Sequence, residues 1–184
     1  HPAPVFSGTP VTIGELRADA RAKAADTKAA AKDRLVAVKD QRKKEALQRA
    51  ETQLAEANKR MNTHFTNVLK QVREVLGRIA DRIAKAKDAG RDTSSITALV
   101  DVANATLTKA DAAVVAQAAK TYPVAVTTEA NLRDAVRKTR ESLRADLETL
   151  RDTVKSARVA VREVAVTLAQ IPKPAQPAPA VSNQ

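Results

Sequence analysis

The sequence predicts an all-α fold: a long antiparallel three-helix bundle or coiled coil, with an N-terminal helical extension and extended Pro-rich termini. Three observations carry this. Apolar residues recur at alternating steps of three and four over long stretches, the period of a helix face. No proline occurs between Pro10 and Pro123, nor between Pro123 and Pro172. The chain is 43% hydrophobic but only 2% aromatic, with one Tyr, two Phe and no Trp. Ala, Val and Leu build thin helix–helix seams rather than a thick globular core.

Residues 1–11 read as an extended arm, because Pro2, Pro4 and Pro10 forbid regular helix and Gly8 loosens it. Phe6 is its anchor candidate. Thr12, followed by Glu15, has capping-box spacing and opens a helix. Residues 12–60 are dominated by strong helix formers and read as a helical extension, continuous with the helix that begins the bundle. Its apolar side is weak before Leu47. Leu35, Val38, Leu47 and Leu54 are its larger members.

Residues 61–171 are expected to form the bundle. Met61, Phe65, Val68, Val72, Val75, Ile79, Ile83 and Ala86 make the first stripe. Gly90 stops that helix in the left-handed conformation, and Asp92, Thr93 and Ser94 offer caps for the next. The second helix spans about 93–120, with Ile96, Val100, Ala103, Leu107, Ala110, Val114 and Ala118 on one face. Tyr122-Pro123 ends it, and Val124–Val126 is extended. The third helix begins at Thr127 or Thr128 and runs to Pro172, striped from Leu132 through Leu143, Leu147 and Leu150 to Ile171. Residues 172–184 form a Pro/Ala-rich tail.

Charge narrows the partners. The net charge is +11, from 32 basic and 21 acidic residues. Basic excess suits nucleic acid, anionic lipid or another polyanion, yet the signs interleave, as on a solvated helix surface. The densest basic run is Lys39, Arg42, Lys43 and Lys44, followed by Lys59 and Arg60. These six are the candidate polyanion contacts. Stacking aromatics, which single-stranded nucleic acid favours, are nearly missing.

Catalytic chemistry finds no foothold. The chain lacks cysteine, a Gly-x-Ser-x-Gly elbow and a phosphate-cradling glycine loop. Its two histidines, His1 and His64, lie far apart, so no metal or cofactor is expected. The expected protein is not an enzyme. No apolar run is long enough to cross a membrane as a helix. The chain begins His1-Pro2, and a removed secretory leader is the economical explanation.

One segment carries a resemblance. Arg78-Ile79-Ala80-Asp81-Arg82-Ile83-Ala84-Lys85, then Gly90-Arg91-Asp92-Thr93-Ser94, resembles secreted helical proteins of the candidate-phyla-radiation (Patescibacteria) bacteria. These repeat an Arg-Ile-x-x-Arg-Ile-x-Lys pattern before a Gly-x-Asp-Thr-Ser turn and an Ala-rich helix. The resemblance covers residues 61–120 and, more loosely, 128–170. It implies an exported, non-enzymatic role and assigns no functional residue.

The expected function is structural: a secreted bacterial protein that assembles with copies of itself as an extracellular filament or cell-surface layer. Length supplies the mechanism. If residues 61–89 pair with the second helix, the first overhangs at one end and the third at the other. Leu35, Val38, Leu47 and Leu54 would then be uncovered, as would Ala157, Val161, Val164, Leu168 and Ile171, and the arm would dock Phe6 on the neighbouring copy. Two such stripes would join copies head to tail. The alternative is a basic helical protein that binds nucleic acid or another polyanion.

Overall fold

The computed structural model describes residues 13–36 and 40–172. The described residues are all-α: α1 (Ile13–Val36), α2 (Gln41–Asp88), α3 (Ser94–Ala119) and α4 (Leu132–Gln170), with a single 3-10 turn at Glu129–Asn131. No described helix is long and apolar enough to cross a membrane. The arm, residues 37–39 and residues 173–184 lie outside the described residues, and with them Phe6, Val38, Lys39, the Thr12 cap and the side chain of Leu35.

The chain divides into two compact units, one built on residues up to Thr66 with Asp111–Asp152, the other on Asn67–Ala110 with Thr153 onward. In the second unit Gly90 closes α2 as expected. Its φ is 76°; its amide donates to Lys87 O at 2.9 Å and the Arg91 amide to Ala86 O at 3.0 Å. That pair of bonds is a Schellman motif, which satisfies carbonyls the helix end would otherwise orphan. Thr93, buried, then accepts the Ile96 and Thr97 amides through its carbonyl, and Asp92 accepts the Ser94 amide and hydroxyl. These two bonds hold the Asp92 carboxyl below its ordinary range, hydroxyl first. Arg91 donates to the Ile171 and Pro172 carbonyls, tying the end of α4 to this turn.

The first unit departs from expectation in two ways. The long first helix is divided: α1 ends at Val36, and α2 starts anew at Gln41. Asp40 provides the start, its carboxylate accepting the Arg42 amide at 2.8 Å and its carbonyl the Lys44 amide. The helix is unbroken through 58–64 and through Gly77. Residues 41–60 are part of the packed core rather than an extension, since Leu47, Ala50, Leu54 and Asn58 are all buried. This moves the bundle boundary from 61 back to the start of α2. Of the described α1 side chains only Ala20 and Thr27 are half-buried, seven residues apart and so on one face.

The second departure removes the overhang. An overhang requires the third helix to start level with the end of the second. Instead residues 120–128 run extended along α2. Asn58 holds the Gln117 and Lys120 carbonyls, Glu51 accepts the Val124 amide at 3.1 Å, and Glu129 meets Asp40 and Lys43. Going back from Asn58 to Lys43 covers ~22 Å of helix axis. Nine extended residues reach ~30 Å, whereas nine helical ones reach ~14 Å. Extension therefore lets α4 begin beside the N-terminal end of α2.

Leu47 and Leu54 consequently join Val124, Val126, Ala135 and Leu143 in one core cluster. In the second unit Ala157, Val161 and Val164 are at most 3% exposed. These five residues are covered by their own chain, so they are not free to hold a second copy. Leu168 and Ile171 are half-buried.

The buried line of α2 is Leu47, Ala50, Leu54, Asn58, Asn62, Phe65, Leu69, Leu76, Ile79 and Ala86. Leu69 and Leu76 lie in it where the sequence suggested Val68 and Val75. Both leucines sit one position on, and Val75 is 39% exposed. The covered positions 62, 65, 69, 72, 76, 79, 83 and 86 keep strictly alternating steps of three and four, so the line passes through the leucines and leaves Val75 outside it.

The two described glycines of α2 and its turn give opposite expectations for one substitution. Gly77 is helical and exposed, with open space around an added Cβ. Gly77→Ala should raise stability by about 0.5 to 1 kcal/mol. Gly90→Ala should lower it by about 1 to 2 kcal/mol, because a Cβ at positive φ meets the following carbonyl. Urea unfolding of both variants checks the pair of signs.

Candidate functional site

Two features of the first unit stand out chemically: a buried polar network and a basic groove. The network starts from Asn58 and Asn62 on α2, which replace apolar residues at consecutive seam positions and are 5% and 6% exposed. Asn58 Nδ2 donates to Gln117 O at 3.1 Å and Lys120 O at 3.3 Å, serving the carbonyls at the C-terminal end of α3. Gln117 Nε2 donates to Asn58 Oδ1 at 3.0 Å and to the Tyr122 hydroxyl at 2.5 Å. Tyr122 in turn donates to Asp146 Oδ2 at 2.7 Å, and Lys120 pairs with Asp146 Oδ1 at 3.0 Å. Asn62 Nδ2 donates to the Asn58 carbonyl and Oδ1, while its own Oδ1 has no partner among the described residues.

Burial, then the bond to Asp146, push the Tyr122 phenol well above its ordinary value. That same bond, aided by Lys120, holds the Asp146 carboxyl below its ordinary 3.8. The phenol therefore stays a donor and the carboxylate an acceptor at neutral pH. Its geometry is that of a fastener between α2, the end of α3, the extended segment and α4.

The groove lies between α2 and α4. Its upper part, about 780 Å³, is lined by Arg49 and Gln53 from α2 and by Leu132, Val136 and the arginines of α4. The adjoining part, about 390 Å³, has a floor of Leu54, Ala57, Met61, Phe65, Leu143 and Leu147. The two share Gln53, Arg140 and Arg144. Along the rim stand Arg49, Arg133, Arg137, Arg140, Arg144 and Arg151, against the carboxylates Glu141 and Glu148. Arg137 is held by Glu141 at 3.0 Å and Asp134 at 3.4 Å, with the Glu141 bond the larger cause of its raised pKa. Arg133, Arg140, Arg144 and Arg151 are exposed and form no ion pair with a described carboxylate.

The sequence-predicted polyanion residues are not gathered here. Arg42, Lys59 and Arg60 are exposed on α2, Lys44 is half-buried, and Lys43 is engaged by Glu129 at 3.0 Å. The α4 arginines escape a reading of the sequence because they alternate with Asp and Glu, as on a solvated flank. The signal that could have found them is spacing. Arg133, Arg137, Arg140, Arg144 and Arg151 fall at steps of four, three, four and seven, all on one side, whereas the acids fall mostly elsewhere. Among the described residues no group of His, Asp or Glu could hold a metal ion. No family model, curated protein or solved structure matches the chain.

Two substitutions test the network. Asn58→Leu should cost about 1 to 3 kcal/mol by stranding the Gln117 side chain and the α3 carbonyls it serves. For Asp146, a folded-state pKa below 3.8 means its contribution is present above that value and is lost as pH falls below it. Asp146→Asn should therefore flatten the acid limb of a stability-versus-pH curve relative to the parent. Parallel acid limbs would show that the carboxylate is not coupled to folding.

Proposed function

We propose that this chain is a non-enzymatic helical binding protein whose partner is anionic and engages the arginine rim of the groove on α2 and α4. The observation that carries this is the charge imbalance along one groove, six arginines against two carboxylates. Five of the six are exposed and unpaired by any described carboxylate, so binding them to an anion breaks no such ion pair. The planar guanidinium suits bidentate contact with carboxylate or phosphate.

A matched-charge comparison tests it. One variant carries Arg133→Gln, Arg140→Gln, Arg144→Gln and Arg151→Gln. The control carries Arg17→Gln, Arg21→Gln, Lys23→Gln and Lys28→Gln, all exposed on α1. Both lose the same net charge. On a heparin column the groove variant should elute at clearly lower salt than the control. Equal elution would mean that net charge alone governs retention.

Self-assembly is a second reading, carried by a different surface from the overhanging stripes that the sequence suggests. Val102, Val159 and Val166, all in the second unit, are 57%, 54% and 47% exposed. Val159 and Val166 are seven residues apart and so share one face of α4, which offers an apolar strip to another copy. This reading keeps the exported, structural role that the family resemblance implies. Light scattering across a concentration series should show mass growth in the parent and none in Val159→Asp/Val166→Asp. A parent that stays monomeric contradicts it.

A further inference from the structure

The rim says that the ligand is anionic; the floor says more. Ala57, Leu132, Val136 and Leu147 are only half-buried although they pack against the core cluster, and Met61 beside them in the groove is half-buried too. They leave apolar surface at the bottom of the groove. A phosphate backbone has nothing to cover it with. A base would need a flat aromatic to stack on, but Phe65 is 5% exposed, and Tyr122 is bound into the network and does not line the groove. An amphipathic helix answers both demands, with an apolar stripe for the floor and carboxylates for the rim.

Dimensions and charge select the helix further. Arg133 to Arg151 covers eighteen positions of α4, or ~27 Å, which is about five turns of a partner helix. The arginines recur about once per turn on the α4 side, whereas α2 contributes Arg49 and the neutral Gln53. The partner's carboxylates therefore belong mainly on one flank of its stripe. A second copy of this chain fits poorly. α1, α2 and α4 each carry more Lys and Arg than Asp and Glu, and the apolar positions of α3 at 96, 103, 107, 110 and 114 are already buried. Among the described residues none of the groove's lining comes from α1, whose Thr27 hydroxyl lies 3.4 Å from Thr121 instead.

We propose that this groove is the docking site for an amphipathic α-helix of about five turns from an acidic partner protein. The proposal rests on the anionic-partner reading above and commits it to one class of macromolecule.

The test uses the full chain and fluorescence anisotropy. The probe is a labelled designed peptide of eighteen residues, with Leu at helix-face spacing and Glu along one flank. Controls are a peptide of identical composition with the stripe broken, a Glu→Gln version, and a single-stranded oligonucleotide of matching charge. The designed peptide should bind at least tenfold more tightly than either peptide control. The floor variant Met61→Gln/Leu147→Gln should weaken peptide binding tenfold or more and leave oligonucleotide binding unchanged. The rim variant Arg140→Glu/Arg144→Glu should weaken both. Equal affinity for intact and broken stripes, measured on the unaltered protein, overturns the proposal whatever the variants do. Rim-dependent oligonucleotide binding without peptide binding also overturns it but leaves the anionic reading standing. Indifference of both ligands to the rim variant removes both. Peptide binding that appears only after removal of residues 1–12 would make the chain's own arm the occupant and would likewise overturn it.

Discussion

The structure depends on the extended segment between α3 and α4 being held against α2 by side chains. Asn58, Glu51 and Lys43 successively engage Gln117 and Lys120, Val124, and Glu129. A strand would satisfy this backbone through a neighbouring strand, and the described residues contain none. Here the Asn58 amide, the Glu51 carboxylate and the segment's own bond from the Val126 amide to the Val124 carbonyl supply partners, so those groups are satisfied against a helix. Val124 and Val126 then fill the space against Leu47 and Leu54, four buried side chains worth on the order of 1.5–3 kcal/mol each. The polar contacts position this segment, and the apolar ones stabilise it.

Everything proposed about the groove follows from that placement. Because the segment carries the chain back along α2, α4 begins at Leu132 beside Ala46 and Arg49. Its arginines at 133, 137, 140 and 144 are thereby set across from Gln53 and Ala57, over apolar residues. Had α4 started level with Met61, the same arginines would flank a different floor. The Asn58–Gln117–Tyr122–Asp146 chain of hydrogen bonds ties that register to α4 itself, since Asp146 lies between groove residues Arg144 and Leu147. Polar groups buried at consecutive seam positions commonly specify register at some cost in stability, and Asn58 with Asn62 fit that role.

The helices are legible in the sequence because they depend on local chemistry. Gly90, Thr93, Tyr122-Pro123 and the three–four spacing each act within a few residues, and the turn, the caps and the stripe of α4 stand where they imply. The break before Gln41 is hidden by strong helix formers on both sides; its marker, Asp40 at a cap position, looks like one more charged surface residue. The fate of residues 120–128 is illegible for a different reason. That they are extended can be read from Pro123 and the valines, but what covers them is decided by Glu51 and Asn58, some seventy residues away in the chain. Polar residues in an otherwise apolar seam read as surface, although two of them hold the register. The groove is hidden likewise: its arginines are local, but their facing floor exists only once α2 and α4 are aligned.

The most direct test of that alignment is methyl nuclear Overhauser spectroscopy on selectively labelled protein, dilute enough to be monomeric. The account predicts that the Leu47 and Leu54 methyls belong to one cross-peak network with Val124, Val126 and Leu143, and that the Met61 methyl meets Leu143 or Leu147 across the groove. Cross-peaks from Met61 to Leu132, with Leu47 showing none beyond α2, would place α4 in the overhanging register and contradict it.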